Sequence, residues 1–168
     1  MDELLRAISI IDTRVGDARE GLPESIFLLI SRLTPLVNVD LLIRHPTDGS
    51  VLLTWREDGY HGIGWHIPGG IVRFKETWVQ RIHKVARLEL GTEVSAAAHP
   101  RMIQQPMVSH RQDRSHFVSL LFDCVLVQPP DIALRCVSDL PKPGQWAWHR
   151  ECPETMLPVH RHMYANVF

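Results

Sequence analysis

Gly70-Ile71-Val72-Arg73-Phe74-Lys75-Glu76-Thr77-Trp78-Val79-Gln80-Arg81-Ile82-His83-Lys84-Val85-Ala86-Arg87-Leu88-Glu89-Leu90-Gly91 is the stretch on which the reading of the fold turns. Val79, Ile82, Ala86 and Leu90 recur at helical spacing. An amphipathic helix is therefore expected from about Glu76, and Gly91 stands where helices commonly stop. Gly69 and Gly70, just before it, are residues that let the backbone approach a neighbour closely.

Working outward toward the N-terminus, Gly59 to Gly64 reads as a glycine-rich loop leading into Trp65-His66-Ile67-Pro68. Before it, Val37, Val39 and Leu41 alternate with Asn38 and Asp40, Pro46 to Gly49 carries turn chemistry, and Val51 to Trp55 resumes an apolar run. That pattern predicts a hairpin. Further upstream, Leu4, Leu5, Ile8, Ile11 and Val15 predict a helix ended at Gly16, and Pro23-Glu24-Ser25 opens a second helix that Thr34-Pro35 closes. Toward the C-terminus, Met102 to Val108 and Phe117 to Val127 read as strands around the polar loop His110 to His116. A weak strand near Ile132 to Cys136, a turn at Pro141 to Gly144, a strand at Trp146 to Trp148 and a helix after Pro158 complete the chain. The order predicts an α/β fold, a mixed sheet sandwiched by helices.

The chain has 168 residues, with 18 Lys and Arg against 19 Asp and Glu. A net charge of -1 argues against a nucleic-acid partner, whose binders carry a basic surplus. Met1-Asp2-Glu3 is acidic where a signal peptide is basic, and Ile26 to Ile30 is too short to span a bilayer, so a soluble cytoplasmic protein is expected. Three cysteines without C-x-x-C spacing fit a reduced compartment and read as small buried hydrophobes.

With its spacing kept from Gly70 to Gly91, the stretch resembles the Nudix box: Gly, five residues, Glu, seven residues, then Arg-Glu-apolar-any-Glu-Glu-any-Gly. Gly70, Glu76, Glu89 and Gly91 match, Ala86 fills the apolar place and Lys84 stands for the Arg, while Val85 and Leu88 replace two carboxylates. The resemblance implies an α/β/α sandwich with a mixed central sheet over residues 36–168; the two helices that periodicity predicts form a short N-terminal segment over 1–35 before it. Carboxylates three and four apart on a helix point the same way, so the full box gathers charge that holds magnesium against a diphosphate. With Glu89 alone, a magnesium site (manganese being the alternative) is expected to need oxygens from the substrate.

Glu76-Thr77, Glu89-Leu90-Gly91, the segment Thr34 to Asp40, Leu52-Leu53 with Arg56, and Trp148 together resemble the GDP-mannose mannosyl hydrolase branch of the family. That branch attacks the anomeric carbon of a nucleotide sugar with water and releases sugar and nucleoside diphosphate. Carried over by position, Gly69 and Glu89 would bind the metal, Arg56 would contact the leaving group, and Asp40 would help hold the nucleotide. A homodimer is implied by the same resemblance. Three departures stand out. The arginine after the double glycine is Ile71, for which Arg73 is near enough to substitute; the acid and histidine before the late Trp strand fall at Pro141 and Pro143; and the polar loop is shorter. Two other readings follow: a diphosphatase cleaving between phosphorus atoms, which two missing carboxylates disfavour, and a silent module that binds nucleotide sugars.

His110 and His116 flank the polar loop near the expected mouth and are assigned to substrate binding. His66 lies beside the box and His149 after the late strand, but geometry must decide any base. His160 and His162 lack the i, i+4 spacing of a helical metal pair and read as surface residues; Trp65 and Trp146 read as core.

Overall fold

The computed structural model describes residues 2–60 and 62–168; Met1 of the acidic start and His61 of the predicted glycine-rich loop lie outside the described residues. Helix α1 spans Glu3–Val15 and α2 spans Glu24–Leu33. Strands β1 (Leu36–Ile43), β2 (Val51–Asp58), β3 (Gly62–His66) and β4 (Gly69–Ile71) precede helix α3 (Trp78–Leu90). Strands β5 (Val94–Ala96), β6 (Met102–Gln104), β7 (Phe117–Leu126) and β8 (Trp146–His149) follow, then helix α4 (Pro158–Tyr164).

β1 is hydrogen-bonded on both sides. It runs parallel to β7, with Leu36 opposite Phe117 and Ile43 opposite Cys124, and antiparallel to β4, with Asp40 opposite Gly69. β5 and β6 pair with β7 to make a five-stranded mixed sheet, and β3, β2 and β8 form a separate three-stranded one.

The sequence predicts a hairpin of β1 and β2, and this is corrected. The turn is closed by an Arg44–Val51 bridge, by the His45 N–H donating to the Ser50 carbonyl (2.7 Å) and by the Gly49 N–H donating to the His45 carbonyl (2.9 Å), but β1 and β2 form no ladder beyond it. Most of β1 is buried, and a strand covered on both faces takes a central place, leaving no edge for β2. β2 instead pairs with β3, Trp55 opposite Trp65 and Asp58 opposite Gly62, so Gly62 and Gly64 belong to a strand and not to a loop. The predicted strand from Met102 ends at Gln104, shortly before Pro106, which has no N–H to donate. Ile132–Leu134 is a 3-10 turn, capped by the Asp131 carboxylate accepting from the Ala133 N–H (2.9 Å).

α3 begins at Trp78, two residues later than predicted, because Thr77 and Gln80 form a reciprocal cap: Thr77 Oγ1 accepts the Gln80 N–H and Gln80 Oε1 accepts the Thr77 N–H. Its buried stripe is Ile82, Val85, Ala86 and Leu90, whereas Val79 is 42% exposed. The stripe packs on Val39, Leu41 and Ile43 of β1 and Leu120 and Phe122 of β7. Burying each such large side chain contributes about 1.5–3 kcal/mol. Side chains alternate along a strand, so Asn38, Asp40 and Leu42 take the opposite face. There Leu42 joins a second cluster with Leu121, Leu53, Trp65, Met163 and Tyr164, while Asn38, Asp40 and Ser119 open into a cavity.

α2 buries Ser31 and turns Phe27 and Ile30 toward that cavity. α1 has no buried residue, and Leu4, Leu5 and Ile8 are exposed on it. Among the described residues no helix is long and apolar enough to cross a membrane.

Candidate functional site

The cavity has a volume of about 640 Å³. Its floor is the polar end of the central sheet, Asn38, Asp40 and Ser119, and Gly69 and Gly70 line it beside them. Arg56, Arg73, Arg81 and Arg114 give it a basic lining. A smaller cleft, lined by Thr54, Glu89, Pro143 and Gly144, shares Arg56 and His66 with the cavity. These two side chains therefore stand between the basic chamber and the helix carboxylate.

Asp40 is 2% exposed. Its Oδ2 accepts from the Tyr164 hydroxyl (2.5 Å) and from Asn38 Nδ2 (3.0 Å), and Asn38 Oδ1 in turn accepts from the Ser119 hydroxyl (3.0 Å). Burial pushes the Asp40 carboxyl up to about 7, with the Glu89 charge adding to the rise and the Tyr164 and Asn38 donors opposing it. Gly69 is required at this point, because a Cβ there would stand 2.2 Å from Asp40 Oδ1 and 2.8 Å from the Val39 carbonyl oxygen.

Glu89 lies at the end of α3. Its Oε2 accepts from the Thr54 hydroxyl (2.9 Å), and the Gly69 N–H donates to the same carboxylate. Thr54 Oγ1 also lies 3.0 Å from His66 Nε2, while His66 Nδ1 is 2.8 Å from the Ile67 carbonyl oxygen and so carries a proton. A hydroxyl has one proton to give. Either Glu89 is ionised and His66 is an imidazolium donating to Thr54, or Glu89 is protonated and donates to Thr54, which donates to a neutral His66. Both arrangements have the same net charge, and passing from one to the other shifts both hydrogen-bond protons along the chain, a net transfer of one proton from His66 to Glu89. Burial pushes the Glu89 carboxyl above its usual range, while Arg56, Thr54 and the Gly69 N–H favour the carboxylate.

Glu76 has another job. Its Oε2 accepts from the Arg73 N–H (2.9 Å) and Arg81 Nε (2.8 Å), and Lys84 Nζ lies 3.4 Å from Oε1. Burial alone would raise its carboxyl, but these donors and cations hold it below the usual range. Glu76 thus fastens the loop after Gly70 to α3. Val85 sits in the core, 2.9 Å from where a Cβ on Gly70 would be, and Leu88 is 78% exposed. Neither of these two positions offers an oxygen.

The structure brings Asp40, Arg56, Gly69, Arg73 and Glu89 to the two connected chambers. Arg73 is exposed, its guanidinium lying against Gly21. His110 is exposed in the turn of the polar loop, and His116 Nε2 is 3.0 Å from Gln105 Nε2; neither lines the cavity. His160, read from the sequence as a surface residue, is corrected: it lines the cavity, its ring centroid 5.4 Å from that of His66 and 5.7 Å from that of Tyr164. Trp65 and Trp146 are buried, as expected. Pro143 borders the Glu89 cleft. Sequence reading missed Arg81, Arg114, Thr54 and Tyr164. Arg81 carried a signal, a basic residue beside the apolar stripe of the helix; the others depend on elements far apart in the chain.

Solved structures share the fold that carries these chambers. A MutT Nudix hydrolase from Burkholderia pseudomallei matches 77% of this chain and 95% of its own, with a TM-score of 0.61 at 20% identity. This chain has the Nudix fold. A MutT protein from Methanosarcina mazei shares that fold over 80% of this chain and 94% of its own, with a TM-score of 0.58 at 17% identity. A UDP-X diphosphatase shares it over 94% and 85%, with a TM-score of 0.54 at 15% identity. No protein-family model matches the chain. In sequence, 74 residues are 40% identical to the low-salt glycan biosynthesis protein Agl8 of Haloferax volcanii, a match covering 44% of this chain and 46% of that protein.

Nudix hydrolases generally use a divalent metal. Among the described residues no group of three or more His, Cys, Asp or Glu converges. Glu89 supplies one buried carboxylate, already approached by Thr54 and the Gly69 N–H. That set fits magnesium only where substrate oxygens and water complete the octahedron.

Proposed function

We propose that the protein hydrolyses a nucleoside-diphosphate sugar of the GDP-mannose kind, water attacking the anomeric carbon and the nucleoside diphosphate leaving. The observation that carries this reading is the shared wall of the two chambers: Arg56 and His66 join a polar-floored cavity of about 640 Å³ to the cleft of a lone carboxylate. A cavity of that size holds a nucleotide sugar. Asn38, Asp40 and Ser119 offer hydrogen bonds to hydroxyls or to a base.

In this reading Glu89, with the Gly69 carbonyl, would hold a magnesium ion that supplies charge neutralisation to the diphosphate. Arg56 donates to the departing phosphate, where negative charge grows as the glycosidic bond breaks. Arg73 adds a second cation at the rim. The Glu89–Thr54–His66 chain can pass one proton between its ends beside Arg56. The identity of the 40% relative as a glycan biosynthesis protein agrees with a sugar-linked substrate.

A second reading, a silent module that binds nucleotide sugars, draws on the two prolines at the positions of the branch's acid and histidine and on the single carboxylate at the helix end. Incubation with GDP-mannose, GDP-glucose and ADP-ribose in magnesium, followed by phosphorus NMR, separates the readings. GDP as product supports sugar hydrolysis, monophosphates indicate cleavage between phosphorus atoms, and unchanged substrate indicates the module.

A further inference from the structure

One basic side chain of the cavity comes neither from the Nudix-box stretch nor from the flanking segments that resemble the mannosyl hydrolase branch. Arg114 lies in the loop before β7, half-buried, and lines the cavity with Arg56 and Arg73. Its φ is 50°, a left-handed conformation that a residue with a long side chain keeps only when its surroundings impose it.

The surroundings are α2. The Arg114 N–H donates to the Ser31 hydroxyl (3.0 Å), and the neighbouring Asp113 carboxylate accepts from Arg32 Nη1 (2.8 Å). The Arg114 guanidinium carbon lies 5.5 Å from the Phe27 ring centroid and 4.6 Å from that of Tyr60. Tyr60 is itself tied to α2, its hydroxyl donating to Glu24 Oε1 (2.8 Å). Backbone, neighbour and both ring contacts thus all lead to one helix. Aromatic stacking engages the face of a guanidinium, whereas anions are bound through its edge, so a stacked arginine is a preorganised phosphate ligand.

We infer that Arg114, set in place by α2, binds the diphosphate of the substrate, which makes the helical segment before β1 part of the substrate site. This rests on the functional reading above and adds to it that phosphate is gripped from two sides: Arg56 from β2 and Arg114 from the loop clamped by α2. Burial disfavours the Arg114 charge, the positive charges of Arg56 and Arg111 add to that, and Asp58 opposes it. An arriving diphosphate relieves the repulsion. Phe27 and Ser31 act through Arg114 and are positioning residues.

The test is calorimetric titration of the full chain with GDP in magnesium chloride. Arg114→Gly removes the guanidinium while suiting the left-handed backbone, and is expected to weaken binding at least tenfold; thermal melting checks that the fold persists. Arg114→Lys keeps the charge without the planar edge and is expected to recover part of the loss. Phe27→Leu is expected to weaken binding in the wild-type background and to have no further effect in the Arg114→Gly background, which loss of stability alone would not produce. Wild-type affinity in a folded Arg114→Gly protein overturns the inference and leaves the functional reading standing. Equal effects of Phe27→Leu in both backgrounds overturn the role of α2. Absence of GDP binding by the wild-type protein overturns both the inference and the reading beneath it.

Discussion

The hydroxyl of Tyr164, in the last helix, donates to the carboxyl of Asp40, in the first strand, at 2.5 Å in the buried floor of the cavity. The contact joins elements 124 positions apart. Burial, with the Glu89 charge, raises the Asp40 carboxyl to about 7 from an ordinary value of 3.8, against the Tyr164 and Asn38 donors. A carboxyl raised in the folded state stabilises the fold when protonated: the contribution is complete below about 4 and is lost as pH rises through about 7. The metal-free protein is therefore expected to lose on the order of 4 kcal/mol of this contribution between pH 4 and pH 8. Thermal melts in chelator across pH 5 to 8 should show a slope for the wild type that Asp40→Asn flattens; parallel curves would refute the assignment.

Glu89 offers the only carboxylate at the end of α3 whose neighbours are hydroxyl, amide and arginine donors. Glu89→Gln keeps the size of the side chain and its acceptor oxygen for Thr54. Turnover of a nucleotide sugar is expected to fall by about a hundredfold or more while the melting temperature changes little. Undiminished activity would remove Glu89 from the mechanism.

Arg56 separates the two chambers and lies 3.5 Å from Asp58, a half-exposed pair of small energetic weight. Arg56→Ala is expected to cost under about 1 kcal/mol of stability but about tenfold to a hundredfold in kcat. Comparable proportional losses in both would show a structural residue.

The contact of Gly69 with Asp40 leaves no space for a methyl group. Gly69→Ala forces the strand pair apart at the site and is expected to destabilise by about 1–3 kcal/mol. Urea unfolding measures this, and a neutral result would mean that the backbone yields there.

Three thiols are free. Burial pushes the Cys124 thiol up to about 12, whereas Cys136 and Cys152 are partly exposed. Titration of native protein with a thiol reagent near pH 8 is expected to label Cys136 and Cys152 first and Cys124 only on unfolding. Rapid labelling of Cys124 would contradict its burial.

Local pattern was legible wherever neighbours in sequence impose the structure. The α3 stripe, the glycine at its end, the two N-terminal helices and the helix after Pro158 follow from periodicity and capping residues, which act within a few positions. Pairing of strands was not. The turn between β1 and β2 reads as a hairpin, yet β1 takes a central position because β7 and β4, distant in the chain, bury both its edges. The site divides the same way. Gly69, Glu89, Arg56 and Asp40 stand in the ordered pattern of the box and its flanks, and the structure places them around the two chambers. His110 and His116 bound the polar loop without lining the cavity, whereas Arg114 of the same loop lines it.

The amino-acid sequence by itself determined the helices, the spacing of the glycine-led loop and the acid at the end of α3, since these depend on propensity and on contacts within a turn or two. Tertiary structure alone decided that Asp40 would lose water and bind its proton more tightly than an exposed carboxyl, that Glu89 would share a hydroxyl with His66, and that a helix outside the box would steady Arg114. Desolvation and side-chain partnership arise only when remote segments pack together, and no local pattern encodes which segments those are.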